Sequence, residues 1–255
     1  MVLRLPNQHI MVTGGSRGIG AAIVEKALAE GASVSIIDVE EGTGRAFVAG
    51  LEAKDRVYFA RGDIRLAADI KAFHVEAVKR FGPVTGLVNN AGRNSNADPV
   101  TMTEEEWDAV FAVDLKSAWL CAREVLPAMI AAKSGSIVNI ASVHADHTFI
   151  GYFPYAAAKS GLVGLTRSLA LEVGAHQIRV NALSPGWTET FLVAEYFSGQ
   201  PADTRQKVLD VHPMGRIAKP SEIANCAVFL LSDEASFVTG ANWRVDGGMG
   251  ARFAG

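Results

Sequence analysis

Short runs of apolar residues alternate along the chain with longer segments in which apolar residues recur every three or four positions. Short apolar runs are typical of buried β-strands, and the periodic segments are typical of amphipathic α-helices. The runs predict seven strands, in HIMVTG, SVSIID, RVYFARGD, GLVNNAG, GSIVNIAS, IRVNALSPG and GANWRVDGG. The periodic segments predict helices in GIGAAIVEKALAEGA, DIKAFHVEAVKRFG, residues 104–132, PYAAAKSGLVGLTRSLALEVG and PSEIANCAVFLLSD.

Strands and helices alternate without an internal repeat or a convincing linker, which predicts one domain over residues 1–255. Strand–helix–strand units make right-handed crossovers. They therefore predict an α/β fold with a Rossmann-like, doubly wound parallel sheet of about seven strands and helices on both faces. Ligands of such sheets bind beyond the carboxyl ends of the strands, so the residues after each apolar run are the candidates for a site.

Charge and composition exclude several classes of function. The formal net charge is −3 and Lys and Arg form no dense run, which argues against a nucleic-acid or anionic-membrane surface. No apolar run approaches the roughly 20 residues of a membrane-spanning helix, and the first residues lack the pattern of a secretion signal. Cys121 and Cys226 lie in apolar helical patterns, where buried free thiols are expected. These features predict a soluble, cytoplasmic protein.

A glycine-rich turn, TGGSRGIG, follows the first predicted strand and opens a helix. Gly14, Gly18 and Gly20 permit a tight turn and a close approach of the backbone, while the helix N-terminus offers free N–H groups to a pyrophosphate. The spacing differs from the common G-x-G-x-x-G, and alone it is a weak signal. No Lys-Ser/Thr pair follows, which argues against a nucleoside-triphosphate P-loop.

Asp38 closes the second predicted strand, where an acid about 20 residues after the glycine turn binds the adenosine ribose hydroxyls. A carboxylate there accepts from a 2′-hydroxyl and repels a 2′-phosphate, which favours NAD over NADP. Arg17 in the glycine turn could instead reach a 2′-phosphate, so NADP stays the alternative.

Three further motifs follow later strands. NNAG ends the fourth strand, Ser142 ends the fifth, and Tyr155 and Lys159 lie four residues apart at the head of a helix in YAAAK. With TGGSRGIG, and through SPGWTET and the terminal VDGG, these motifs resemble the short-chain dehydrogenase/reductase family in its standard-length form. The resemblance covers essentially the whole chain.

The trio of Ser142, Tyr155 and Lys159 also has a direct chemical interpretation. Tyr155 and Lys159 share one helix face, where an ammonium stabilises a phenolate. Ser142 can hydrogen-bond the substrate oxygen while Tyr155 exchanges its proton. Hydride then passes between a secondary carbinol carbon and the nicotinamide. The expected function is an NAD(P)-dependent oxidoreductase that interconverts a secondary alcohol and a carbonyl.

The resemblance implies further residues and an assembly. Asp63 would lie beside the adenine, Lys159 would contact the nicotinamide ribose, and Thr190 is a candidate for the carboxamide. A substrate lid is expected within about 187–215, and a homotetramer is the expected assembly. The implied cofactor site comprises Gly14, Ser16, Arg17, Gly18, Ile19, Gly20, Asp38, Asp63, Ile64, Asn90, Ala91, Gly92, Tyr155, Lys159, Pro185, Gly186, Thr188 and Thr190.

Candidate substrate residues are His144, Tyr152 and Trp187, beside Ser142 and Tyr155. Polar donors next to aromatic rings favour a sugar, a sugar acid or a polyol. A hydrophobic secondary alcohol, a steroid or a 3-oxoacyl thioester remains open, and with it an NADPH-dependent carbonyl or 3-oxoacyl reductase. No Cys/His cluster extends the His144–His147 pair, so no metal is expected.

An acid interrupts an apolar stripe in the predicted helix over 104–132. Asp114 lies at a position where the family usually carries Asn, which is understood to hold a water in a proton path behind Lys159 and Tyr155. We expect Asp114 to contribute to catalysis through that path, with altered pH dependence. Its departure from the pattern also leaves open a non-catalytic dinucleotide sensor. The stripe consists of Trp107, Val110, Phe111, Leu115, Ala118 and Ala122.

Overall fold

The computed structural model describes residues 2–251 of the chain. Its central feature is one parallel sheet of seven strands in the order β3-β2-β1-β4-β5-β6-β7. This arrangement confirms the predicted α/β fold with a doubly wound sheet. The strands are β1 (His9–Thr13), β2 (Ser33–Asp38), β3 (Val57–Arg61), β4 (Gly86–Asn89), β5 (Gly135–Ile140), β6 (Ile178–Pro185) and β7 (Asn242–Val245).

Helices connect the strands and cover both faces of the sheet. Residues 104–132 are continuously helical, as predicted, but a π-helical turn at Ala112–Lys116 separates two α-helical parts. The α-helices are α1 (Gly18–Ala29), α2 (Glu41–Ala49), α3 (Ala67–Phe81), α4 (Glu104–Phe111), α5 (Ser117–Ala132), α6 (Tyr155–Val173), α7 (Phe191–Ser198), α8 (Thr204–Asp210) and α9 (Pro220–Leu231).

Two apolar cores lie on opposite faces of the sheet. On one face, Ile23 of α1 and Val228 of α9 pack against strand residues such as Val12. On the other face, Phe73 of α3 and Val125 of α5 belong to the second core. Successive strand residues point in opposite directions, so the central strands supply side chains to both cores, which explains why these strands are largely apolar.

The strand order reverses between β1 and β4, and their register brings the functional loops together. Thr13 pairs with Asn89, and Asn89 pairs with Asn139 of β5. The Asn89 amide donates to Asn139 Oδ1 at 2.8 Å, so the three strands end level with one another. The loops that follow them consequently open into one crevice, as the rule for parallel sheets requires.

Several details differ from the sequence expectations. Helices α2, α7 and α8 were not predicted, and Trp107, placed in the buried stripe, is 37% exposed. Cys121 is buried, whereas Cys226 is only half-buried; both are free thiols.

Among residues 2–251, no helix combines the length and apolar character needed to cross a bilayer. The apolar, glycine-rich tail GMGARFAG is a candidate subunit contact from its sequence, and its residues 252–255 lie outside the described residues.

Candidate active site

A cavity of about 550 Å³ lies beyond the carboxyl ends of the central strands. It collects most of the residues singled out from the sequence. Of that set, Ser16, Gly20 and Asp114 do not line it. The lining includes Gly14, Arg17, Gly18, Ile19, Asp38, Asp63, Ile64, Asn90, Ala91, Gly92, Ser142, His144, Tyr152, Tyr155, Lys159, Pro185, Gly186, Trp187, Thr188 and Thr190.

The glycine turn forms the floor of one end of this cavity. Gly14 and Gly18 have positive φ values of 64° and 59°, a conformation that favours glycine. The first turn of α1 carries no acidic residue and no side-chain cap, so its N–H groups remain available to an anion. Gly20 has a packing role, because a Cβ there would collide with the Gly14 carbonyl oxygen.

A buried hydroxyl beside this turn has no partner among residues 2–251. The Ser16 side chain is 4% exposed, and its Oγ makes no hydrogen bond. The turn, the open helix terminus and this unsatisfied hydroxyl together fit the pyrophosphate of a dinucleotide.

Asp38 points its carboxylate into the same end of the cavity. Oδ2 accepts from the Ser16 N–H and Oδ1 from the Glu40 N–H, both at 3.2 Å, so the group is held in place at the tip of β2. The guanidinium carbon of Arg17 lies 5.5 Å from the centre of the Phe191 ring at the start of α7. The cation and the acid therefore occupy separate positions in the crevice.

Asp63 and Thr190 each have a protein partner as well as a place in the lining. Asp63 forms an ion pair with Arg65, whose guanidinium lowers the pKa of the Asp63 carboxyl. Thr190 caps α7 by accepting from the Val193 N–H at 3.4 Å. The Asp63 backbone N–H donates to Asp69 at 2.9 Å, which fixes the loop after β3.

Ser142, Tyr155 and Lys159 meet at the middle of the cavity. Ser142 follows β5, Tyr155 is the first residue of α6, and Lys159 lies one turn later. The Lys159 ammonium nitrogen lies 5.5 Å from the centre of the Tyr155 ring and donates to the Ile140 carbonyl at 3.1 Å. A hydroxyl, a phenol and an ammonium thus line one wall, where they can hold an oxygen and exchange a proton with it.

Asp114 stands behind this wall, in the π-helical turn. Its Oδ1 lies 3.3 Å from Lys159 Nζ, and both side chains are almost fully buried. The Arg93 N–H donates to the same carboxylate, at 3.2 Å from Oδ1. Burial raises the pKa of Asp114, while the Lys159 ammonium acts in the opposite direction. Asp114 therefore contacts the cavity residue Lys159 directly without lining the cavity itself.

Aromatic rings form the opposite end of the cavity. The His144 ring stacks on Tyr152, with ring centres 3.9 Å apart, and burial lowers the pKa of His144 to about 4. The imidazole is therefore neutral at physiological pH. Trp187 packs against Tyr196 and Phe197 of α7, with ring centres 5.3 and 5.7 Å apart.

Some lining residues were not identified from the sequence. They flank the motif residues along the chain, and that adjacency was the available signal. No group of three or more His, Cys, Asp or Glu within the described part of the chain is placed to hold a metal ion. The additional lining residues include Arg93, Asn94, Val113 and Val143.

Comparisons with known proteins agree with this geometry. A family model described as enoyl-(acyl carrier protein) reductase matches residues 14–250. The chain is 38% identical to 2-(S)-hydroxypropyl-CoM dehydrogenase 3 of Xanthobacter autotrophicus, over 97% of this chain and 98% of that protein. It is 36% identical to a 3-oxoacyl-(acyl-carrier-protein) reductase of Chlamydia pneumoniae, over 98% and 99% of the two chains.

A solved structure shows the same likeness in three dimensions. Levodione reductase superposes with a TM-score of 0.91 at 32% identity, covering 98% of this chain and 100% of its own. The relatives that match over nearly their full length, the family model and the shared fold confirm the family resemblance that the sequence motifs indicated. The chain belongs to the short-chain dehydrogenase/reductase family, NAD(P)-dependent oxidoreductases that act on CH–OH groups.

Proposed function

We propose that this protein is an NAD-dependent oxidoreductase that interconverts a secondary alcohol and its ketone, with Tyr155 as the general acid and base. The observation that carries the proposal is the convergence of Ser142, Tyr155 and Lys159 on one cavity that also contains the glycine turn and Asp38. The Ser142 hydroxyl holds the reacting oxygen, and the Tyr155 phenol exchanges a proton with it. Lys159 stabilises the phenolate form. A bound nicotinamide supplies or accepts the hydride.

The choice of NAD over NADP rests on Asp38. Its carboxylate lines the cavity, where it can accept from ribose hydroxyls and repel a 2′-phosphate. Asp38→Ala is expected to lower the ratio of kcat/KM with NAD to kcat/KM with NADP by about 10- to 100-fold, because charge-assisted hydrogen bonds are lost. Steady-state rates with both cofactors measure this ratio.

The matched control for Asp38 is Glu41→Gln, which removes an exposed acid outside the cavity lining. This variant is expected to leave the cofactor ratio unchanged. A wild-type enzyme that works better with NADP would contradict the assignment of Asp38.

We infer that the substrate is a small hydroxylated compound such as a sugar, sugar acid or polyol. Support comes from the aromatic rings of Tyr152 and Trp187, on which the apolar face of such a compound can pack. The segment within about 187–215 is the proposed lid, because α7 places Phe191 and Leu192 at the cavity while leaving them 60% and 41% exposed. A panel of secondary alcohols and ketones, run with NAD and NADP in both directions, tests the activity.

A second candidate is an NADPH-dependent carbonyl or 3-oxoacyl reductase. Arg17 favours it, since this residue lines the cavity and its guanidinium could bind a 2′-phosphate. The similarity to the chlamydial 3-oxoacyl reductase points the same way. Reduction of a 3-oxoacyl thioester with NADPH, faster than oxidation of any alcohol with NAD, would favour this candidate.

We further propose a homotetramer. Large apolar side chains are exposed on α5, on α6 and near β7, where Trp119 is 46%, Leu171 84% and Phe237 102% exposed. Burial of these side chains between subunits would remove apolar surface from water. Sedimentation is expected to give four chains per particle, and Leu171→Asp a smaller particle. A monomeric wild-type protein would contradict the proposal.

A further inference from the structure

His144 is held by ring contacts and a backbone hydrogen bond beside the proposed catalytic residues. Its ring stacks on Tyr152 and meets the edges of Phe149 and Tyr155, with ring centres 5.5 and 5.8 Å away. Its backbone N–H donates to Ser142 Oγ at 3.2 Å, and the side chain is 8% exposed. An imidazole held this tightly has little conformational freedom left to lose when it binds a ligand.

One ring nitrogen of His144 has a protein partner and the other has none. Nδ1 lies 3.0 Å from Thr148 Oγ1, and that hydroxyl can itself donate to the Phe149 carbonyl oxygen at 3.5 Å. A Thr148 hydroxyl that donates to this carbonyl accepts from Nδ1, so we assign the tautomer with the hydrogen on Nδ1 and a lone pair on Nε2. Within residues 2–251, Nε2 makes no hydrogen bond, although the residue lines the cavity. The ring therefore offers an acceptor to a ligand.

We propose that Nε2 of His144 accepts a hydrogen bond from a second hydroxyl of the substrate, on a carbon one or two bonds from the reacting carbinol. The inference rests on the proposed function and narrows its substrate class to 1,2- and 1,3-diols, or to the matching hydroxyketones in the direction of reduction. The edge contact between the His144 and Tyr155 rings, with centres 5.8 Å apart, puts the imidazole beside the proposed general acid and base. A neutral imidazole keeps its lone pair across the physiological pH range.

The same acceptor disfavours the 3-oxoacyl alternative. A 3-oxoacyl thioester carries a second carbonyl group two bonds from its reacting ketone carbon. The oxygen of that group is also an acceptor. Two lone pairs would face each other, with no hydrogen between them. The hydroxyl of a diol donates instead. His144 thus discriminates between two substrate classes that Ser142, Tyr155 and Lys159 would treat alike.

The test compares substrates that differ by one hydroxyl. We would measure kcat/KM for butane-2,3-diol against butan-2-ol, and for cyclohexane-1,2-diol against cyclohexanol, with NAD. The wild type is expected to prefer the diols. His144→Phe keeps an aromatic ring on Tyr152 but removes Nε2, and it is expected to lower the diol preference about 3- to 10-fold. His144→Gln, whose amide oxygen can also accept, is expected to restore part of the preference.

His147→Phe is the matched control, since His147 is exposed and lies outside the cavity lining. This variant is expected to keep the wild-type preference. Thermal unfolding checks that each variant folds, and His144→Leu, which also lacks an acceptor, carries the test if His144→Phe does not fold. A diol preference that survives the loss of the acceptor, or a wild type without any preference, overturns the inference. Absence of turnover with every alcohol and ketone, under either cofactor, would instead reject the proposed function.

Discussion

Tyr155→Phe is expected to lower kcat by a factor of about 10² to 10⁴, because it removes the group that exchanges the proton with the substrate oxygen. The phenyl ring of the variant keeps the contacts with Lys159 and His144. In the wild type, Lys159 Nζ and the centre of the His144 ring lie 5.5 and 5.8 Å from the centre of the Tyr155 ring. Stability and cofactor binding should therefore change little. Initial rates give kcat, and the change in nicotinamide fluorescence on titration gives Kd.

Tyr152→Phe is the matched control for this experiment. Tyr152 is the neighbouring phenol on the same cavity, but it has no lysine four residues after it. Loss of the Tyr152 hydroxyl is expected to affect KM more than kcat, since Tyr152 stacks on His144 at the proposed substrate end of the cavity. If Tyr155→Phe retained the wild-type kcat, the assignment of Tyr155 as general acid and base would be wrong.

Asp114→Leu is expected to reduce the free energy of unfolding by about 3–5 kcal/mol, because it leaves the buried Lys159 ammonium without its partner. Both side chains of the pair are at most 4% exposed, so water cannot replace the lost carboxylate. The Ile140 carbonyl remains as an acceptor for Lys159 but carries no net charge. Equilibrium unfolding in urea measures the change, and a loss below about 1 kcal/mol would contradict it.

Asp114→Asn separates the charge of this side chain from its shape. An amide oxygen can still accept from the Arg93 N–H and from Lys159, so the loss of stability should be smaller than for Asp114→Leu. Because the carboxylate no longer offsets the Lys159 ammonium, the phenolate of Tyr155 gains stability. The acidic limb of kcat/KM for alcohol oxidation is expected to move to lower pH. An unchanged pH profile would exclude an electrostatic role for Asp114 in the reaction.

The difference in stability between the wild type and Asp114→Asn should depend on pH in a defined direction. Burial is the main cause that raises the pKa of Asp114 in the folded protein above its ordinary value of 3.8. The folded state therefore binds the proton more tightly than the unfolded chain does. Ionisation of Asp114 costs stability as the pH rises from about 4 through the raised pKa, whereas Asn does not ionise. Lowering the pH from 7 towards 4 should shift the stability difference in favour of the wild type.

The sheet and its site-bearing edge could be predicted because strands buried on both faces leave a strong sequence signal. Each of the seven apolar runs is a strand, and the residues that follow β1 to β6 reach one cavity. Helix α2 could not be predicted in the same way, since EGTGRAFVA contains two interior glycines and has no side-chain cap. Helix α7 carries exposed apolar residues, such as Phe191, and so lacks the polar face that a periodic pattern requires.

The stripe containing Asp114 shows where a periodic interpretation fails. A uniform α-helical period placed Trp107 on the same buried face as Ala118. The π-helical turn between them holds an extra residue, so the two halves of the helix differ in phase. Ala118 is 3% exposed, whereas Trp107 is 37% exposed. The periodic pattern does not mark such a turn, and the contacts that Asp114 makes there with Lys159 and the Arg93 N–H are tertiary.

Because of this extra residue, the position of the Asp114 carboxylate depends on the number of residues in the helix. Deleting Leu115 or Lys116, which separate Asp114 from α5, would restore a regular α-helical turn and preserve the hydrogen bonding of α4 and α5. It would also rotate the two halves against each other by about 100° around the helix axis. The carboxylate could then no longer face Lys159 while α5 keeps its packing on the sheet. In this helix a single-residue gap in an alignment would mark a different electrostatic environment for the phenol, even where every motif residue is the same.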